Sequence, residues 1–138
     1  MSKTIYGLTK GTEVEKKIAA LAQAEANGTR NYYAMARLAR EQNLPEDLAK
    51  TLECMADQES NHAGFYTVLN GGIPEDLFKR MEEAAKVECS AKEGLAPLVD
   101  CLRELGSEEA AAQAEEFINQ EMHHGELLHE LLKKYRNS

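Results

Sequence analysis

Two Glu-x-x-His motifs occur in the chain, Glu59-Ser60-Asn61-His62 and Glu121-Met122-His123-His124. On a helix, residues three apart share a face, so each motif would present a carboxylate and an imidazole side by side. Oxygen and imidazole donors together suit iron, manganese or zinc. A single motif of this kind in a Glu-rich chain carries little weight, because a solvated helix face explains it. Two copies gain meaning only if the elements that hold them turn them toward metal.

The breakers in the chain define those elements. With 138 residues there is enough for one domain with a sizeable core. Ala, Leu, Glu and Lys dominate while Pro and Gly are sparse, a balance that favours helix over strand. Gly11 precedes a first predicted helix at 12–42, and Asn43-Leu44-Pro45 separates it from a second at 46–70. Gly71-Gly72-Ile73-Pro74 leads to a third at 75–105, and Gly106-Ser107 to a fourth at 108–135. Pro45 and Pro74 fall near first helical positions, where a missing N–H costs little. Pro97 falls inside the third helix and predicts a kink or break near 93–97. Residues 1–11 then form an N-terminal extension to a domain over 12–135, built of the hairpins 12–70 and 75–135.

The hairpins repeat each other. Glu25 aligns with Glu88, and Ala39-Arg40-Glu41 with Leu102-Arg103-Glu104, at a shift of 63 residues. Gln58-Glu59-x-x-His62 aligns with Gln120-Glu121-x-x-His124 at a shift of 62. Alternating steps of three and four trace the seam that each helix would turn to a bundle interior. The first reads Val14, Ile18, Leu21, Glu25, Gly28, Tyr32, Met35, and the second Leu48, Leu52, Met55, Glu59, His62, Tyr66, Leu69. The third passes through Met81, Ala84, Glu88, Ala91 and Leu95, and the fourth through Ala114, Phe117, Glu121, His124 and Leu128. Each seam is apolar or aromatic except at its middle, where each carries a Glu and two add a His. An isolated carboxylate costs several kcal/mol to bury, so four converging in a core need compensation. Two divalent cations balance four carboxylates and leave both imidazoles neutral. The set Glu25, Glu59, His62, Glu88, Glu121 and His124 matches the ligand pattern of di-metal carboxylate bundles.

Three segments carry a family resemblance: Glu25 with Tyr32 seven residues on, Gln58-Glu59-Ser60-Asn61-His62-Ala63, and Glu121-Met122-His123-His124. Together they resemble the rubrerythrin branch of the ferritin-like superfamily, over residues 12–135. The resemblance implies an all-α, ferritin-like four-helix bundle with two iron ions per site. Glu59 and Glu121 would bridge the metals, and Glu25 with His62 and Glu88 with His124 would complete the ligands. Manganese or zinc is the alternative occupant. The implied activity is that of a peroxidase-type oxidoreductase that reduces hydrogen peroxide or activates O2.

Two departures from the family pattern qualify that expectation. Rubrerythrins carry a further Glu one turn after the third-helix ligand, where this chain has Ala91, and the nearest acid, Glu93, lies off the seam. The remaining six-ligand set also resembles that of bacterioferritin, which introduces ferrous iron oxidation and iron handling as an alternative. A structural zinc or manganese pair is a third. The paired cysteines of a rubredoxin domain are missing, so electrons would come from a separate donor protein such as a rubredoxin.

Other residues carry weaker signals. Tyr32 and Tyr66 lie one or two turns from ligands, so their phenols are candidates to hydrogen-bond the ligating side chains; aromatic packing is the alternative. His123 and His129 fall off the seam and read as solvated. Cys54, Cys89 and Cys101 form no C-x-x-C pair and read as small buried apolar residues rather than as a disulfide or metal framework.

Ferritin-like bundles keep their second and third helices parallel, so the chain between them must travel the length of the bundle. A helix of ~25 residues is ~37 Å long, whereas Gly71–Pro74 spans at most ~14 Å. Either the helices run simply up and down, or hairpin 12–70 of one chain packs with hairpin 75–135 of another. The second arrangement, a domain-swapped homodimer, is favoured, since swapping exchanges whole elements at little cost. A net charge of −8 argues against nucleic acid and anionic membranes as partners. No apolar run is long enough to span a bilayer, and the first 11 residues lack a signal-peptide pattern, so a cytoplasmic location is expected.

Overall fold

In the computed structural model, which describes residues 4–136, the chain is all-helical. Five helices follow one another: α1 (Glu15–Glu41), α2 (Glu46–Leu69), α3 (Leu77–Cys89), α4 (Ala91–Glu104) and α5 (Glu108–Tyr135). They fall into two units. In the first, up to Glu75, α1 packs on α2. In the second, from Asp76 onward, α3 and α4 both pack on α5.

The helices differ from expectation at three points. The first begins at Glu15 rather than at 12, because residues 4–14 form turns that run back onto the end of α2. There the Gly7 N–H donates to the Val68 carbonyl and the Thr9 N–H to the Leu69 carbonyl, both at 3.0 Å. These are last-turn carbonyls that a helix cannot satisfy internally. Asn70 ties the segment down, accepting from the Thr9 hydroxyl (2.6 Å) and donating to the Glu15 carbonyl (2.8 Å). The third helix starts at Leu77 rather than at 75, because Asp76 caps it by accepting from the Lys79 N–H at 3.1 Å. It is also two helices, and the break falls at Ser90 rather than at 93–97. The Ser90 hydroxyl donates to the Val87 carbonyl at 2.8 Å, drawing off an acceptor of the helical ladder. Pro97 lies within α4.

The turns anticipated from Asn43, Gly71 and Gly106 are left-handed helix terminations, with φ of 55°, 58° and 92°. In each, the N–H of the next residue reaches five residues back: Leu44 to the Ala39 carbonyl (3.0 Å), Gly72 to Thr67 (2.9 Å) and Ser107 to Leu102 (3.1 Å). A guanidinium braces the corner of each unit. Arg40 on α1 pairs with Glu46 and Glu53 of α2, and its hydrogen bonds hold the Glu46 carboxyl below the usual carboxylate range. Arg103 on α4 pairs in the same way with Glu108 (2.9 Å) and Glu115 (2.6 Å) of α5.

Within each unit alanines are the most deeply buried residues. Ala36, Ala39, Ala49 and Ala56, with Leu69, are buried in the first unit, and Ala85, Ala111 and Ala114, with Val99, Ile118 and Leu132, in the second. Larger seam residues stay open: Met35 is 46% exposed, Leu48 45% and Phe117 40%. Cys54, Cys89 and Cys101 are also exposed rather than buried, since they lie off the alanine stripe. Among the glycines, Gly125 of α5 has the least room: a Cβ there would stand 2.6 Å from Cys89 Sγ and 3.5 Å from Glu88 Cβ. Gly125→Ala is therefore expected to lower stability by about 1–3 kcal/mol, the usual range for overpacking. Thermal unfolding should show a smaller loss in a Cys89→Ala background, where the displaced sulfur is gone. Equal losses in both backgrounds would contradict the contact.

Candidate metal centre

The six residues singled out from the seams come together as two groups of three, one in each unit. In the first, Glu25 projects from α1 while Glu59 and His62 project from α2. In the second, Glu88 projects from α3 while Glu121 and His124 project from α5. Within each group, one donor atom per residue can be chosen so that all lie within 4.8 Å of one another. His62 Nδ1 is 3.5 Å from both Glu25 Oε2 and Glu59 Oε2. His124 Nδ1 is 3.5 Å from Glu121 Oε2 and 3.9 Å from Glu88 Oε2.

The spacing of Glu and His within α2 and α5 is a helical i,i+3 pairing, legible from sequence. The third member of each group needs the neighbouring helix close by, and glycines and alanines make room. A Cβ on Gly28 of α1 would sit 3.4 Å from the Glu59 carboxyl carbon, so this residue leaves the Glu59 side chain lying against the α1 backbone. Hydroxyls lock the first unit at the same level. The Thr29 hydroxyl donates to the Glu25 carbonyl (3.1 Å) and accepts from the Ser60 hydroxyl (3.2 Å), linking α1 to α2 beside both acids. This bridge was not singled out from sequence, because Thr29 and Ser60 are unremarkable until the helices are paired.

The carboxylates repel one another. The Glu88 carboxyl is pushed above its usual range, first by a hydrogen bond with Glu121 that favours the protonated acid, then by desolvation, with the like charge of Glu121 adding to both. Cations would relieve this, and two carboxylates with one imidazole per unit are a donor set that iron, manganese and zinc all accept. The groups therefore fit a metal on chemical grounds. Both imidazoles remain reachable, His62 and His124 each being 53% exposed.

The remaining candidates lie as follows. Tyr32 and Tyr66 are half-buried, and the Tyr66 ring meets Phe65 edge-on at 5.5 Å between centroids. The neighbouring Tyr33, not singled out from sequence, donates its hydroxyl to Asp57 across the α1–α2 pair. His123 and His129 are exposed, with His123 Nδ1 3.6 Å from Glu126 and His129 Nε2 3.9 Å from Cys89 Sγ. Ala91 opens α4, and Glu93 is exposed.

A raised carboxyl pKa has a defined consequence for metal-free protein. The folded state keeps a proton that the unfolded chain has already lost, so stability falls as pH rises from the ordinary carboxylate range through the raised value. Glu88→Gln removes the clash. Its metal-free form should melt above metal-free wild type at neutral pH, and the gap should narrow as the solution is made acidic. A gap independent of pH would show that Glu88 ionisation is not its source.

No family model and no solved structure matches this chain. The uncharacterized protein MJ0746 of Methanocaldococcus jannaschii is 35% identical over 129 residues, which cover 94% of this chain and 91% of that protein. Similarity of that degree along nearly the whole of both chains makes this protein a member of the same family as the Methanocaldococcus jannaschii protein.

Proposed function

We propose that this chain is a non-haem di-iron redox protein of rubrerythrin type, working as a domain-swapped homodimer on hydrogen peroxide or O2. The observation that carries the reading is the pair of Glu–Glu–His groups, each with donor atoms within 4.8 Å, on helices that leave seam residues such as Met35, Leu48, Met55 and Phe117 exposed. In a ferritin-like bundle, each site would take Glu25, Glu59 and His62 from one chain and Glu88, Glu121 and His124 from its partner. Covering the open seam residues Met35, Leu48, Met55 and Phe117 would supply apolar burial.

The six residues, Glu59 and Glu121 among them, would hold two iron ions. The metals supply the redox chemistry: two electrons for an O–O bond. Reduction of one peroxide consumes two electrons and two protons and releases two waters, so a separate electron-donor protein, such as a rubredoxin, restores the reduced state. The chain's own residues set the rest. Four carboxylates balance the charge of two divalent ions, and the Thr29–Ser60 contact links α1 to α2 beside Glu25 and Glu59. Tyr32 and Tyr66, half-buried in the same hairpin, are the phenols suited to hydrogen-bond the ligating groups.

Ala91 favours a second reading. The chain lacks the further Glu expected one turn after Glu88, and its six-ligand set also resembles a centre that oxidises ferrous iron without turning over peroxide. Stopped-flow mixing of reduced, iron-loaded protein with peroxide separates the two. The peroxidase reading expects oxidation faster than that of iron in buffer and repeated turnover once a reductant is added. A single oxidation followed by iron release or deposition would favour iron handling. Manganese or zinc in protein purified from its native host, with no colour change on oxidation, would favour a structural metal pair.

Swapping has its own test. One chain carries Glu25→Ala, Glu59→Ala and His62→Ala; a second carries Glu88→Ala, Glu121→Ala and His124→Ala. Neither should form a complete site alone. When the two are refolded together, a swapped heterodimer regenerates one intact di-metal site out of two, measured as iron bound per dimer. Sites formed within single chains would regenerate none.

A further inference from the structure

The two acid–imidazole groups use the same residue types, yet their helices hold them differently. Glu25 stands in the interior of α1 (Glu15–Glu41), with helix on both sides of it. Glu88 is the last residue but one of α3 (Leu77–Cys89). Just beyond it, the Ser90 hydroxyl takes up the Val87 carbonyl and the helix stops. Residues at a helix end open locally more readily than those in the middle.

A second difference lies across the helix pair. In the first unit Thr29 sits one turn beyond Glu25, and Ser60 is next to Glu59. Their hydroxyls meet at 3.2 Å, and the Thr29 hydroxyl donates to the Glu25 carbonyl at 3.1 Å. The link therefore joins α1 to α2 at the level of both acids. At the repeat shifts of 63 and 62, the corresponding residues of the second unit are Lys92 and Met122, which cannot form a hydroxyl pair. The Tyr33–Asp57 bond of the first unit likewise gives way to Ala96 and Asn119. The distances follow the same order. His62 Nδ1 is 3.5 Å from both of its acids, whereas His124 Nδ1 is 3.5 Å from Glu121 and 3.9 Å from Glu88. A site whose donors are already held in place loses less conformational freedom on binding, and so binds more tightly.

We propose that the two metal positions are unequal: a cation binds first and more tightly at Glu25, Glu59 and His62, with Thr29 and Ser60 as positioning residues, and second at Glu88, Glu121 and His124. The inference rests on the metal reading, but not on iron, on peroxide or on exchange of hairpins between chains.

Calorimetric titration of the metal-free full chain with Mn(II) tests it. Two steps of one ion per chain each are expected. The first should be about tenfold tighter, the lower end of what outer partners contribute to metal affinity. Repulsion between two cations would also separate the steps, so the identity of the tight site decides. His62→Ala should remove the tight step and His124→Ala the weak one. Ser60→Ala should weaken the first step about fivefold, the worth of one neutral hydrogen bond, and leave the second unchanged. Thr29→Val should do the same, whereas Thr29→Ser, which keeps the hydroxyl, should titrate as wild type. Two equal steps, a tight step that survives His62→Ala, or a first step unmoved by both Ser60→Ala and Thr29→Val would overturn the inference and leave the metal reading standing. Two unequal sites assigned in this order, in a chain whose iron does not react with peroxide, would uphold it and sink only the redox reading. A chain that takes up neither Mn(II) nor anaerobic Fe(II) would overturn the metal reading and this inference with it.

Discussion

A pair of helices can bury only the stripe that each turns toward the other, and in both units of this protein alanines are the most deeply buried residues of that stripe. Small residues let the backbones approach closely, as Gly28 does beside Glu59 and Gly125 beside Cys89. Close approach is what brings a carboxylate on one helix to a Glu-x-x-His pair on the next. Had the stripe been leucine, the helices would stand farther apart and Glu25 and Glu88 would miss their partners. The same choice leaves Met35, Leu48, Met55 and Phe117 with little cover from their own hairpin. The geometry that assembles each acid–imidazole group therefore also creates the apolar demand that the proposed dimer would meet.

The charge distribution divides between corners and centre. At the corners each Arg faces two Glu residues, so opposite charges brace the turn of each unit. At the centre carboxylates face one another with only a half-exposed imidazole beside them, and Glu88 responds by holding its proton above the usual range. Arrangements of that kind cost stability in the absence of a counter-ion. Their occurrence at equivalent positions in both units is what gives the proposed metal binding its physical motive.

The two units are not interchangeable. The first is continuous through α1 and cross-linked by Thr29, Ser60, Tyr33 and Asp57. The second is broken at Ser90, two residues after Glu88, and has Lys92, Met122, Ala96 and Asn119 at the corresponding places. One hairpin thus spends its polar side chains on holding its own helices together.

Sequence by itself determined the helical class, the positions of the turns at Asn43, Gly71 and Gly106, and the pairing of Glu59 with His62 and of Glu121 with His124. These follow from local rules: left-handed terminations need Gly or Asn, and three-residue spacing on a helix needs no partner. Tertiary structure alone decided the rest. It turned residues 4–14 back to cap α2, broke the third helix at Ser90 through a side-chain hydrogen bond, and left the three cysteines exposed. The first and the last depend on which groups meet across elements, about which periodicity along one helix carries no information; the break at Ser90 is a local bond to Val87 that apolar periodicity does not register. The alanine stripe belongs to the same class: its residues look like helix-forming filler until two helices are laid together and the smallest side chains prove to be the most deeply buried.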